Sequence, residues 1–401
     1  MQHIKKIAVV LLLSTLYTYS KAQTTPPIEQ SLIDAVVNNN TTLKAYKDKI
    51  EAAKIGTKVG LNPANPEAKI SRTSNGSIYN QEIELTQEID FPTVYVKKRN
   101  ISKLEQQRLS TEYTLYRRNI VAVAYKTLSN YQYTLSMKAL ASERLRKAAE
   151  VQKLMKDRLD AGDILLIEFN KSKIETSLVA ADNQKWEMAV KLAKQDLALY
   201  VGDVDKQMSQ LHLLNTKMPL FNNSTEEKEK LKLNWIAQDS KVLGASFQKQ
   251  ISEQNIGLTK SQTLPKLTLG YRRDQNPSIT MNGATAGISI PLWENKNKVK
   301  QAKAEQLFAE SFETDARLKA ELQFESVYQA TQQNKALYQM LESNLPSVQT
   351  LNQLEESLQT GYIALLEYYT QIKAYYELED KIESVAKDYK DVYIELYKIA
   401  L

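Results

Sequence analysis

Cysteine is absent from all 401 residues, and histidine occurs only as His3 and His212. Without cysteine there is no disulfide, no thiolate metal ligand, no thiol nucleophile and no acceptor for an N-terminal lipid. Two histidines, one of them close to the N-terminus, argue against a His-based catalytic triad or zinc site. No nucleophile–base pair, metal-ligand cluster or phosphate loop stands out, so the chain reads as a non-enzyme without cofactor or resident metal. Glycine (11) and proline (10) are scarce. Ordinary globular chains use roughly twice that share, so long uninterrupted helices are expected. Beyond the N-terminal segment no apolar run approaches the ~20 residues of a spanning helix. Any membrane-spanning part of this chain must therefore be built from strands.

What is present begins with an export signal. His3, Lys5 and Lys6 form a basic start, Ile7 to Leu13 is apolar, and Ser20-Lys21-Ala22 offers small residues for cleavage. This order marks residues 1–22 as a secretory signal peptide, with cleavage after Ala22. The alternative, an uncleaved anchor, suffers from the shortness of the apolar run. The formal charge is +6, and removing the three lysines of that segment, which holds no acid, leaves +3. So balanced a chain gives no reason to expect nucleic acid as a partner.

The chain repeats itself with a period near 200 residues. Leu159, Gly162, Ile164, Leu166 and Glu168 recur as Leu358, Gly361, Ile363, Leu365 and Glu367. Ser102 to Gln106 recurs as Ala302 to Gln306, Pro66 to Ile70 as Pro265 to Leu269, and Ile55-Gly56 as Ile256-Gly257. Four matches in one order indicate a duplication. The first repeat covers residues 23–201 and the second 230–401. Residues 202–229, with Asp203, Pro219 and Asn222-Asn223-Ser224, form the linker.

Each repeat reads as a helix (28–59; 230–260), a short extended region, a very long helical stretch, a glycine turn and a returning helix. Residues 93–159 contain no Pro or Gly. Leu109, Tyr113, Tyr116, Ile120 and Val123 step along one face as in a coiled coil. Unbroken, this stretch would reach on the order of 100 Å. Its counterpart, residues 295–358, contains Pro346, where a kink or break is expected. Gly162 and Gly361 are expected to end the long helices at hairpin tips. A helical hairpin of any coiled-coil protein would look the same at this point.

The extended regions discriminate. In 82–91, Ile83, Leu85, Ile89 and Phe91 alternate with Glu82, Glu84, Thr86, Glu88 and Asp90. The partner strand is 67–73, and Asn75-Gly76 suits a tight turn between them. In the second repeat, Leu267, Leu269 and Tyr271 alternate with polar positions, and Ala286, Ile288, Ile290 and Leu292 share one face of 284–292. The fold class is thus mainly α with a small β part: hairpins at about 67–91 and 266–292, four strands in all. One apolar and one polar face suits lipid outside and water inside. Four strands cannot close a barrel, so spanning strands require several chains around one barrel. Two soluble hairpins resting on the helices remain the alternative.

With these features assembled, the chain resembles the TolC-like outer-membrane factors. The resemblance rests on the duplication, the hairpin in each half, the tip motif G-x-I-x-L-[LI]-E-[FY] and the strand exit Ile288-Ser289-Ile290-Pro291-Leu292-Trp293. It implies a homotrimer whose four strands per chain form one twelve-stranded transmembrane barrel. It further implies long antiparallel helices continuing that barrel as a periplasmic α-barrel. The implied partners are a periplasmic adaptor (membrane fusion) protein, an inner-membrane pump of RND or similar type, and outer-membrane lipid. The implied role is passive export of drugs, metal ions or proteins; the chain's shortness resembles the CusC/CzcC-like metal-efflux branch. The family's acidic rings align with Glu367 and Thr370, so Glu367 is the candidate periplasmic gate and the second ring is missing. The family's latch Tyr and Arg align with Leu358 and Ile363. A plainer role for Glu367 is a solvated helix carboxylate paired with a lysine such as Lys373. Trp293 is a candidate membrane-interface aromatic. The competing function is an exported periplasmic coiled-coil adaptor or scaffold without a pore.

Overall fold

The long helices appear where breakers are missing. The computed structural model describes residues 30–76, 78–208, 221 and 224–401. Residues 1–22, expected to be a signal peptide, and half of the linker lie outside the described residues. α1 (Gln30–Asn39) and α2 (Thr41–Gly56) precede β1 (Glu67–Asn75) and β2 (Ile78–Ile89). α3 (Pro92–Ala161) and α4 (Leu166–Val201) follow, then the short α5 (Val204–Met208). The order then recurs: α6 (Thr225–Gln238), α7 (Ser240–Ser261), β3 (Lys266–Gln275), β4 (Thr280–Ser289), α8 (Lys298–Ser343), α9 (Val348–Gln359) and α10 (Leu365–Tyr397). A 3-10 turn, Lys398–Ala400, follows α10.

Several boundaries differ from the sequence reading, for local reasons. The helix expected over 28–59 is two helices, because Asn40 caps α2: its Oδ1 accepts the Leu43 N–H at 2.7 Å. The helix expected over 230–260 divides at Asp239, whose Oδ1 accepts from Lys241 and Val242 at 2.8 and 3.1 Å. Each side chain ends one helix and satisfies the first amides of the next. Asn40 and Asp239 stand 199 residues apart, the same offset as Gly162 and Gly361. Phe91 lies outside β2, because Pro92 opens α3, where its missing N–H costs nothing. Ile290 and Leu292 lie beyond β4, because Pro291 cannot donate to a ladder. The break at Pro346 falls between α8 and α9. Val123 is 42% exposed, so the heptad stripe does not hold to its end. A straight helix drifts about 20° per heptad, and burial passes to Val121, Ala124, Tyr125 and Leu128.

The described residues gather into two compact units, each drawn from both repeats. One holds the sheet, α2, α6, α7, most of α8 and the first part of α3. Its helices meet through small residues: Ala316 and Ala320 of α8 pack on Val242 and Ala245 of α7. Trp235 of α6 meets Phe324 of α8 at 6.0 Å, and Lys228 bridges to Glu325 at 2.7 Å. The same α8 leaves Leu307, Phe308, Phe312, Leu318 and Leu322 exposed. The other unit holds the rest of α3, α4, α9 and α10. There α10 buries Tyr389 and Tyr393, and burial holds both phenols above their usual pKa. Arg144 of α3 reaches Glu379 and Asp380 of α10, each at 2.7 Å, with its guanidinium over the Tyr376 ring.

Candidate functional site: the hairpin tips and the sheet

Both tips are built by one backbone device. At the first, Gly162 takes φ 81° and the Asp163 N–H donates to the Arg158 carbonyl at 2.9 Å. At the second, Gly361 takes φ 76° and the Tyr362 N–H donates to the Ser357 carbonyl at 2.8 Å. A six-residue loop closed over a left-handed glycine ends a helix and turns the chain back.

The side chains at the two tips are used differently. Ile164 and Ile363 both pack on a core of Val151, Met155, Leu358, Leu365, Tyr368 and Ile372. Leu365 is 6% exposed, whereas its counterpart Leu166 is 60% exposed. Glu168 turns back on its own helix, where Oε2 accepts the Leu165 N–H at 3.3 Å. It satisfies one of the first-turn amides and suits the positive helix end. Glu367, at the same helical position, is exposed, and its Oε1 accepts from the Gln371 amide at 2.8 Å. Lys373 is not its partner. Lys373 donates to Glu175 at 3.2 Å, and Lys171 donates to the same carboxylate at 2.6 Å. Burial pushes the Glu175 carboxyl up, but the two lysine bonds outweigh it and hold the group below its ordinary pKa.

Two residues at the tips escaped the sequence reading. Arg158, in the last turn of α3, donates from Nη2 to the carbonyls of Leu358 and Gln359 at 3.1 and 2.9 Å. It joins the first hairpin to the C-terminal end of α9, where a cation suits the helix dipole. A lone basic residue just before a tip glycine was the available signal. Glu175 was the other: Lys171 lies at the local i,i+4 spacing, but Lys373 comes from the other repeat and no local pattern relates it to Glu175.

The sheet lies wholly in the other unit. Its order is β1-β2-β3-β4, antiparallel throughout, so the second hairpin of the duplication pairs with the first through β2 and β3. The register puts Ile70 opposite Ile83, Leu85 opposite Tyr271, and Leu267 opposite both Ile89 and Ile288. These share one face, on which Ile70, Leu85, Leu269 and Ile288 are 48–69% exposed. The other face carries ion pairs: Arg272 with Glu82 at 3.1 Å and Asp274 at 3.0 Å, and Lys266 with Glu88 at 2.9 Å. Gly270 sits on that polar face, between Thr86 and Thr285. A Cβ there would stand 2.7 Å from the Leu85 carbonyl oxygen, so only glycine admits this close approach of strands. Trp293, in the loop after β4, is 79% exposed. No described helix is long and apolar enough to cross a membrane.

No protein-family model matches this chain, and no curated protein matches it in sequence. Solved structures do. A membrane protein from Pseudomonas aeruginosa aligns with TM-score 0.75 at 14% identity, over 92% of this chain and 89% of that one. The open state of the Neisseria gonorrhoeae MtrE outer membrane channel aligns with TM-score 0.69 at 16% identity, over 94% and 89%. CusC, described with its transmembrane channel formation, aligns with TM-score 0.67 at 17% identity, over 95% of each chain. Mainly helical, with one four-stranded antiparallel sheet and paired glycine tips, the chain has the fold of the TolC-like outer-membrane channels.

Proposed function

We propose that this chain is the outer-membrane channel subunit of a tripartite efflux or type I secretion system, a passive duct from periplasm to exterior. The sheet carries the proposal. It presents an apolar face to its surroundings and a charged face opposite, and β1 and β4 each end it with an unpaired edge. Unpaired edges are not tolerated in lipid, so several copies must close one barrel, charged face inward. The resemblance makes the number three and the barrel twelve-stranded. The exposed Leu307, Phe308, Phe312, Leu318 and Leu322 of α8 then meet neighbouring copies rather than water. Trp293 lies at the helix end of the apolar band, a suitable place for an interfacial aromatic.

The tips supply the rest. Leu165, Ile167, Tyr362 and Leu366 are 69–87% exposed, an apolar surface suited to a periplasmic adaptor that links the duct to an inner-membrane pump. Glu367 would form a ring of like charges under rotational symmetry, concentrating cations at a constriction. A pore-less coiled-coil scaffold would leave the apolar sheet face uncovered and is the weaker reading.

Fractionation tests the proposal. A heat-modifiable oligomer in the outer-membrane fraction, conducting ions in a planar bilayer, is expected. Recovery of a soluble periplasmic monomer would overturn it.

A further inference from the structure

The apolar face of the sheet carries no carboxylate, although the opposite face holds Glu67, Glu82, Glu84, Glu88 and Asp274. The only charges on the apolar face are Arg72 of β1 and Arg273 of β3. Both stand at the hairpin-loop end. Arg273 shares a row with Ile83 and Asn282, and Arg72 lies one row further out, opposite Gln81. With strands spaced ~4.8 Å and rows ~7 Å, their Cα atoms are about 12 Å apart. Both side chains are exposed.

Neither has a carboxylate partner among the described residues. The contrast with the preceding residue is direct, since Arg272 is held by Glu82 and Asp274 on the other face. Arg273 has only a long bond, 3.4 Å, to the Gln275 amide oxygen. The Arg72 guanidinium lies over the Tyr79 ring at 5.3 Å, and Tyr271 stands one row inside Arg273 on the same face. From the row of Leu267 to that of Ile83 the apolar band runs about 20 Å along the strands. Arg273 stands in its outermost row, and beyond it come Arg72 and Tyr79, on a face without a carboxylate.

On the barrel reading, on which this inference rests, that rim faces the headgroups of the outer leaflet. A guanidinium at the edge of hydrocarbon is costly unless it extends to an anion, and its planar fork fits phosphate oxygens two at a time. Tyrosine is at home at the same depth. We propose that Arg72 and Arg273, flanked by Tyr79 and Tyr271, form a binding site for the phosphate groups of an anionic glycolipid in the outer leaflet.

The test uses the full-length oligomer in non-ionic detergent, as wild type and as the double variant Arg72→Gln/Arg273→Gln. Each is mixed with micelles containing bis-phosphorylated lipid A, its dephosphorylated form, or phosphatidylcholine, and retained lipid is counted by native mass spectrometry. Wild type is expected to bind the bis-phosphorylated lipid about tenfold more tightly than the double variant. The other two lipids should bind both proteins alike. Affinities of the two proteins for bis-phosphorylated lipid A agreeing within about twofold would overturn the site. Equal displacement by inorganic phosphate at matched concentration would also overturn it, because the site would then serve free anions. Sedimentation of both proteins with membranes, together with the intact oligomer band, separates the outcomes. If it holds while lipid selectivity is absent, only the lipid site fails. If wild type washes off membranes in alkaline carbonate, the barrel reading fails and takes the site with it.

Discussion

The two tips share a backbone and differ in what they bury. At the second, Leu365, Tyr368, Tyr369 and Ile372 are all under 8% exposed. At the first, the run Leu165-Leu166-Ile167 is 60–72% exposed. One motif stands at both tips, and packing gives the two separate work. The returning helix of the second copy anchors the tip core, whereas the first copy supplies Val151 and Met155 from α3, with Ile164 packed against them and Arg158 bonded from the side. The largest expected effect breaks this asymmetry directly. Leu365→Ala should destabilise the tip unit by about 2–5 kcal/mol, the usual range for a buried leucine. Leu166→Ala should stay within about 0.5 kcal/mol. Thermal or denaturant unfolding of the paired variants checks the ordering, and equal losses would dissolve the distinction.

Arg158 comes next. Its counterpart in the second repeat is Ser357, so this arginine–carbonyl bond has no equivalent running from second to first. Arg158→Gln removes a charged donor from two carbonyls at the end of α9. A loss of about 1–2 kcal/mol is expected, at the lower end for charged hydrogen bonds because the site is partly solvated. Hydrogen exchange resolves it: protection should fall at Thr360 to Tyr362 and hold at Gly162 and Asp163. Uniform loss at both tips would mean that Arg158 is only a general stabiliser.

Glu175 sharpens the comparison through pH. Its carboxyl titrates below the ordinary range because Lys171 and Lys373 both bind the charged form. A depressed carboxylate contributes stability that is fully present above the unfolded pKa, about 4.3, and is lost as pH falls through the folded value. The contact between α4 and α10 should therefore loosen below about pH 4. Glu175→Gln should be less stable than wild type at pH 7, and the gap should close on acidification. A constant gap from pH 7 to pH 3 would remove the linkage.

These differences explain what was legible in advance. Periodicity and breakers are local, so the long α3, the break at Pro346 and the tip glycines could be read from the residues themselves. The alternation of Leu85 with Glu84 and of Leu269 with Thr268 revealed two faces before any pairing was known. The joining of β2 to β3 could not be read, because it depends on strands about 180 residues apart. The caps at Asn40 and Asp239 carried a signal, an Asx residue before a helix start. Side-chain destinations were the least legible. Lys373, six positions from Glu367 on the same helix, is the lysine that the plainer alternative for Glu367 names, yet it crosses to Glu175 of the other repeat.

The smallest expected effect on stability separates the two glutamates. Glu168 accepts a backbone amide that would otherwise lack a partner within the helix, so Glu168→Gln should cost about 0.5 kcal/mol or less, since an amide oxygen still accepts but without charge. Glu367 accepts only from Gln371, one turn along its own exposed surface, so Glu367→Gln should be neutral in unfolding within about 0.3 kcal/mol. Conductance should rank them in reverse. If Glu367 rings a constriction, its neutralisation removes one charge per copy from the narrowest part of the path, and cation selectivity and block by multivalent cations should both weaken. Glu168→Gln, whose carboxylate is turned into its own helix end, should conduct as wild type does. Planar-bilayer recordings of the two variants decide the matter. Unchanged selectivity and block in Glu367→Gln would remove the gate role and leave the two tips different only in packing and hydrogen bonding.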